Sequence, residues 1–260
     1  MTEAAIWSAE PMSDRPRVLI LGGTAEAIDL ANRAAEKWDV TYSLAGRTKD
    51  PALPAGVSIR TGGFGGIDAL AGWMTENATD AVIDATHPFA AQIARHAATA
   101  CTTEGVPRLK LLRTAWQKKL GDTWLIAADV TAAASLLPSA GRRAFLSVGR
   151  QEIAAFAAAK DTALIVRSID PPDAADILPG ATFITGRGPF SVSDEITLLR
   201  DHEIDVLVSK NAGGEATYAK IAAARELGIK IVMVERPPVP PGEITDSVDT
   251  AFAWLNALFG

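Results

Sequence analysis

RVLILGGTAEAIDL, residues 17–30, decides the fold, because residues 143–156, RAFLSVGRQEIAAF, say nearly the same thing again. Each is a short apolar run, then a glycine turn, then an acidic residue opening a helix-like stretch. Four consecutive aliphatic residues at 18–21 suit a strand buried on both faces. The correspondence continues outward. TGGFGGIDALAGWMTENATDAVIDATHPF from Thr61 matches TGRGPFSVSDEITLLRDHEIDVLVSKNAGG from Thr185, and GVPRLKLLR from Gly105 matches GIKIVMVER from Gly228. The offset stays between roughly 123 and 127 residues, too long for a solenoid repeat. Loops correspond as well as strands, so the chain reads as two similar α/β domains. Clefts between such domains are where ligands usually sit.

The rest of the chain fits this frame. Strands are expected at 18–21, 40–45, 57–60, 81–83 and 109–112, and again at 144–148, 163–166, 182–184, 206–209 and 231–234. Helices are expected from 24 to 35, at 68–76, up to 101, then at 151–160, 192–202 and 215–227. Strands alternating with helices imply parallel sheets with helices on both faces, that is, two Rossmann-like domains. Residues 1–16 read as a disordered leader. The first domain spans 17–115 and the second 116–240, with 116–138 as the transition into it. RPPVPPG from Arg236 reads as extended chain. A C-terminal helix is expected at 247–258, within the closing segment 241–260, and suits either domain.

Composition narrows the function. At 260 residues with 48% hydrophobic content, the chain can bury a full core. A formal net charge of −6 argues against general affinity for nucleic acid or anionic membranes. Cys101 is the only cysteine, which excludes an intramolecular disulfide and a cysteine zinc site. His87, His96 and His202 are too scattered for a metal cluster. No apolar run approaches a membrane span, and the first residues lack a signal-peptide pattern, so a cytoplasmic location is expected.

In parallel sheets, ligands meet the carboxyl ends of strands. Gly22, Gly23 and Thr24 end the first strand and open a helix, an arrangement that suits a phosphate or a plain tight turn. Arg47 and Thr48 follow the second strand, where an arginine suits the 2′-phosphate of NADP and an acidic residue the hydroxyl of NAD. Gly62, Gly63 and Phe64 follow the third, and Phe64 is placed to cover an aromatic ligand face. Thr86, His87 and Pro88 follow the fourth; Thr86 also suits a helix cap. In the second half, Gly149, Arg150 and Gln151, then Arg167 to Asp170, then Arg187, Pro189 and Phe190, and finally Lys210, Asn211, Gly213 and Gly214 occupy equivalent loops. Their cations at strand ends suggest an anionic ligand, against a reading as surface scatter. No nucleophile arrangement stands out, which favours cofactor chemistry over hydrolysis.

GGTAEA, AGRT, GGFGG, DATHPFA, LLR with Trp116, VGRQ, GRGPF, SKNAGG with Thr217 and Lys220, and VERPP together resemble the precorrin-6A reductases of cobalamin biosynthesis over almost the whole chain. ATHPFA and SKNAGG in this order are the specific part. The family's usual serine after SKN is Ala212 here, and its usual proline after LLR is Thr114. The resemblance implies NADPH-dependent reduction of one double bond of a ring-contracted tetrapyrrole, giving precorrin-6B and NADP⁺. It places cofactor contacts at Gly22, Gly23, Thr24, Ala25, Glu26, Arg47, Thr48, Gly62, Gly63, Phe64, Thr86, His87, Pro88, Lys210 and Asn211. Substrate contacts are expected at Gly149, Arg150, Gln151, Asp170, Arg187, Pro189, Phe190, Gly213 and Gly214. His87 and Lys210 are the expected catalytic residues, with water as the other candidate proton donor. Expected partners are the tetrapyrrole and other enzymes of the cobalamin pathway, with no nucleic acid, membrane or metal. A reductase of another conjugated polyanion and a non-catalytic NADP(H) sensor are the competing readings.

Overall fold

The computed structural model of the chain describes residues 14–46, 48–169 and 178–260. The first half contains β1 (Arg17–Leu21), α1 (Ala25–Ala34), β2 (Asp39–Leu44), β3 (Ser58–Thr61), α2 (Ile67–Glu76), β4 (Ala81–Asp84), α3 (Ala91–Glu104) and β5 (Arg108–Leu111). Next come β6 (Trp124–Ala127), α4 (Val130–Ala140), β7 (Arg143–Ser147), a 3₁₀ helix (Arg150–Ala158), β8 (Ala163–Ser168) and β9 (Thr182–Thr185). The chain ends with α5 (Val192–Asp201), β10 (Val206–Lys210), α6 (Ala219–Glu226), β11 (Lys230–Val234), β12 (Glu243–Thr245) and α7 (Val248–Phe259).

Two six-stranded sheets result, ordered β12-β5-β4-β1-β2-β3 and β6-β11-β10-β7-β8-β9. Every strand pairing is parallel. The two orders correspond strand for strand. Val18, Leu19, Ile20 and Leu21 are all buried, as a central strand covered on both faces requires. Leu30 of α1 and Leu255 of α7 pack on one face of the first sheet, and Leu70 of α2 with Cys101 of α3 on the other. In the second sheet, Leu137 of α4 and Phe156 of the 3₁₀ helix occupy one face, and Leu199 of α5 with Ile221 of α6 the other.

The outer strand of each sheet follows, along the chain, the five strands that make up the rest of the other sheet. β6 follows the first five strands along the chain yet pairs with β11. β12 follows β11 yet pairs with β5. Each exchanged strand carries its helix with it, so α4 packs on the second sheet and α7 on the first. Residues 116–138 are therefore no mere transition: they hold β6 and most of α4. Their sequence signal is apolar but short and interrupted. β6 is a four-residue edge strand with Ile126 half exposed, and α4 carries Pro138 in its last turn. The tail from 241 holds a strand, β12, as well as the helix expected at 247–258. The helix expected at 151–160 is a 3₁₀ helix, and the one expected from 215 begins at Ala219. Among the described residues, no helix is long and apolar enough to cross a membrane.

Because α7 completes the first sheet's core, the last turns of the chain should stabilise its beginning. Leu255 is fully buried. Leu255→Ala should cost about 2–5 kcal/mol in urea unfolding, the usual range for a core leucine truncation. A loss well under about 1 kcal/mol would show that α7 is dispensable to that core.

Candidate active site

The two halves meet where the chain leaves β5 and β11. Parallel strands begin at one edge of a sheet and end at the other. After β5 the chain must therefore travel from the carboxyl edge of the first sheet to the amino edge of the second. After β11 it makes the reverse journey. The two connections are held together at their starts. Arg236 donates from Nη1 to the Arg113 carbonyl (2.8 Å), from Nε to Asn211 O (2.8 Å) and from Nη2 to Ala212 O (3.0 Å). Arg113 donates from Nε to Ala212 O (2.7 Å) and pairs through Nη1 with Glu26 (3.0 Å). Asn211 clasps the backbone of Trp116, accepting from its N–H at 2.8 Å and donating to its carbonyl at 3.1 Å. The indole of Trp116 donates to Gly214 O (2.7 Å).

This seam explains several glycines. Gly213 and Gly214 both have φ of +69°. A Cβ on Gly213 would overlap Thr114 O, and one on Gly214 would lie 2.8 Å from Arg113 Cδ. Both are pressed against the first connection. Gly22 is fixed differently: a Cβ there would strike the Tyr42 ring, while Tyr42 Oη accepts from Gly23 N at 3.0 Å. The turn after β1 thus rests on Tyr42. By contrast, a Cβ added to Gly62 or Gly63 would meet nothing within 4 Å, and both glycines face open space.

The loops at the carboxyl edges gather around His87. Thr24 caps α1, accepting from Ala27 N at 3.1 Å and donating to Ala85 O at 2.9 Å, which ties the first glycine turn to the turn after β4. Ala25 and Glu26 form the first turn of α1, and Pro88 lies with Thr24 and Thr86 around a crevice of about 10 Å³. Phe89 N donates to His87 Nδ1 (3.2 Å), which puts the neutral ring's proton on Nε2. Burial drives the His87 pKa down to about 3, and Arg113, Lys210, Arg236 and Lys110 push the same way. These four cations come from both halves. Lys210 reaches Glu152 Oε2 (2.5 Å) and lies 5.0 Å from the Phe89 ring centre. Glu152 also accepts from Gly149 N (2.8 Å).

Other expected residues are placed more loosely. Phe64 is packed within the protein, with the Arg60 guanidinium 3.6 Å over its ring and Trp73 edge-on. Arg187 reaches across the halves to Asp50 O (2.6 Å). Phe190 carries Arg167 over its ring at 4.0 Å, and Arg167 is itself held by both oxygens of buried Glu195. Thr48 is partly exposed, Gln151 and Pro189 are exposed, and Arg150 begins the 3₁₀ helix. Lys220 is buried, donates to Thr217 O (2.7 Å), and is pushed down to about 8 mainly by burial. Arg47 and Asp170 lie outside the described residues. Sequence reading missed Asp84, Lys110, Arg113 and Arg236 as individuals. Arg113 and Arg236 close the matched LLR and VER blocks, and that repetition was the available signal. The larger hollows, about 420 Å³ between α2 and α3 and about 550 Å³ at the amino ends of β1–β3, lie away from these loops. Strand polarity, rather than hollow size, picks out the edge where ligands bind.

A histidine whose folded pKa lies below its unfolded value binds fewer protons folded than unfolded. Its contribution to stability is complete above about pH 6.5 and is lost as pH falls toward 3. Long-range ¹H–¹⁵N spectra at pH 5 should show His87 as the neutral Nε2–H tautomer. An imidazolium signal at pH 5 would contradict the burial described above. His87→Gln should also flatten the fall in stability between pH 6.5 and 3.

The comparisons agree along the full length of the fold. The family model described as "Precorrin-6x reductase CbiJ/CobK" matches residues 17–256. The chain is 50% identical over 245 residues to a precorrin-6A reductase of Rhodococcus erythropolis, covering 93% of this chain and 98% of that one. It is 44% identical over 243 residues to a precorrin-6A reductase of Mycobacterium tuberculosis, with the same coverage of 93% and 98%. A cobalt-precorrin-6A reductase of Salmonella typhimurium is 27% identical, covering 92% and 97%. The solved structure titled "CobK precorrin-6A reductase" superposes with a TM-score of 0.88 at 39% identity, over 94% of this chain and 97% of that one. With one family matched from the first strand to the last helix and its fold reproduced, this chain belongs to the precorrin-6x reductase family.

Proposed function

We propose that the chain reduces one double bond of precorrin-6A with NADPH, giving precorrin-6B and NADP⁺. The observation that carries this reading is the convergence of loops from both sheets, with four cations, on the neutral imidazole of His87. One set of loops would hold the cofactor and the other the substrate, with the reacting atoms between them.

The residues at the first sheet's edge fit a dinucleotide. The start of α1 offers unpaired backbone N–H groups and the positive end of the helix dipole to a phosphate. Glu26 would oppose that anion, but Arg113 neutralises it at 3.0 Å. Gly62 and Gly63 leave open space beside the same edge. When bound, the nicotinamide supplies the hydride. The protein's part is to hold the two reactants together and to manage charge. In the second half, Arg187 is exposed and spends one donor on a backbone carbonyl. A substrate carboxylate would offer it a bidentate, charge-assisted partner. Gly149, Lys210 and Phe190 border the same edge. Anionic groups entering the cleft would offset the cations that add to the effect of burial on His87. Asn211, Gly213 and Gly214 serve this site through the seam, by fixing where the second half's loop lies.

An anaerobic assay with NADPH and precorrin-6A is the direct test; consumption of NADPH only with a different conjugated polyanion would replace the substrate. For the cofactor, Arg47→Ala should raise the NADPH dissociation constant roughly 10- to 150-fold, the cost of a lost arginine–phosphate contact of about 1.5–3 kcal/mol. NADH binding should hardly change, and equal losses for both cofactors would remove the 2′-phosphate assignment. For the substrate, Arg187→Ala should weaken tetrapyrrole binding and reduce its salt dependence while NADPH affinity stays near wild type. A selective loss of NADPH instead would overturn the division of labour between the halves.

A further inference from the structure

Beneath the turn that carries His87 lies a buried ion pair for which the second half provides an internal control. Asp84 ends β4 and is 0% exposed; Lys110 on β5 is 3% exposed. Lys110 Nζ donates to Asp84 Oδ1 at 2.9 Å, Thr86 Oγ1 at 3.2 Å and Thr86 O at 3.4 Å. The same Asp84 Oδ1 accepts from Thr86 N at 3.1 Å and Thr86 Oγ1 at 2.7 Å. Every contact is to the pair itself or to Thr86, the residue before His87. The other carboxylate oxygen, Oδ2, is buried without a hydrogen-bond partner among the described residues.

Such an arrangement is a poor way to gain stability. Two charges are removed from water, and one oxygen is left unsatisfied. Apolar or small polar residues would do as well or better, and the second half has them. Asp84 pairs in register with Lys110, and in the second sheet Ser209 pairs in register with Met233 at the corresponding strand ends. The same junction of the same fold is thus completed by serine and methionine. What differs is the turn above it. In the second half the turn after β10 is fixed from outside, by Asn211 on the Trp116 backbone and by Arg236. In the first half the turn is anchored from below by Lys110 and from the side by Thr24 on Ala85 O.

We propose that Asp84 and Lys110 are positioning residues for the reaction: together they hold Ala85 and Thr86 in place so that His87 stands at a fixed point in the cleft. This rests on the reading of the cleft as the site of NADPH-dependent reduction. The pair touches neither cofactor nor substrate, since both members are buried. Its effect passes through Thr86 to the imidazole; Pro88 lies in the turn that follows, and the next helix begins at Ala91. Burial, helped by Arg108 and Arg236, lowers the Lys110 pKa although Asp84 pulls it upward.

The test transplants the second half's solution into the first, as Asp84→Ser with Lys110→Met. The double variant and wild type would be compared by thermal melting, NADPH titration and anaerobic turnover of precorrin-6A. Expected are a melting temperature within about 3 °C of wild type, NADPH affinity within about threefold, and kcat lower by about 10- to 100-fold, as displacement of a reacting group by a fraction of an ångström produces. The ¹⁵N signals of His87 should broaden or shift in the variant. Wild-type kcat in the variant overturns the proposal, as does a melting temperature lower by more than about 10 °C, which would make the pair a requirement of the fold. Wild-type protein that neither binds nor oxidises NADPH defeats the cofactor reading and this proposal together, an outcome separable from the other two by the wild-type arm alone.

Discussion

Everything in this molecule depends on where the two connecting segments cross. A parallel sheet forces a chain that has finished one strand to return to the opposite edge before starting the next. Here each return is made along the other half, and each delivers the outer strand of the other sheet. The start of each connection is a strand end at a carboxyl edge, so binding the two starts together also brings the two carboxyl edges together. Arg236 on Arg113 O is that fastening. Because ligands meet parallel sheets at their carboxyl ends, the crossing that completes the sheets also sets the position of the cleft.

The seam gives these loops partners that isolated loops do not show. A glycine pair after a strand suits an anion, yet Gly213 and Gly214 are there because the first connection leaves no room for a side chain. Asn211 is a hydrogen-bonding residue at a strand end, and both ends of its amide are committed to Trp116. Glu26 stands at the helix start where a phosphate would be expected, and its charge is met by Arg113. In each case the tertiary partner decides whether a polar group at the cleft is available or already spent.

Electrostatics at the cleft follows the same logic. A chain of net charge −6 concentrates Lys110, Arg113, Lys210 and Arg236 near one imidazole. Three of these have carboxylate partners, Asp84, Glu26 and Glu152, while among the described residues Arg236 is bound only to carbonyls. The positive excess is therefore local and small.

The sequence by itself determined the two-fold α/β plan, because aliphatic runs of strand length and glycine turns recur at a near-constant offset, and such periodic features are local. It also marked the carboxyl-edge loops, since strand direction is implied by the alternation with helices. What only the tertiary structure decided was the exchange of β6 and β12 with their helices. β12 is only three residues long and β6, though wholly apolar, only four, and neither length nor composition states which sheet edge a strand joins. The pairing of Asp84 with Lys110, 26 residues apart, was equally invisible. An aspartate just past one expected strand and a lysine on another become a buried pair only when parallel register sets Asp84 beside Lys110, and the sequence does not state register.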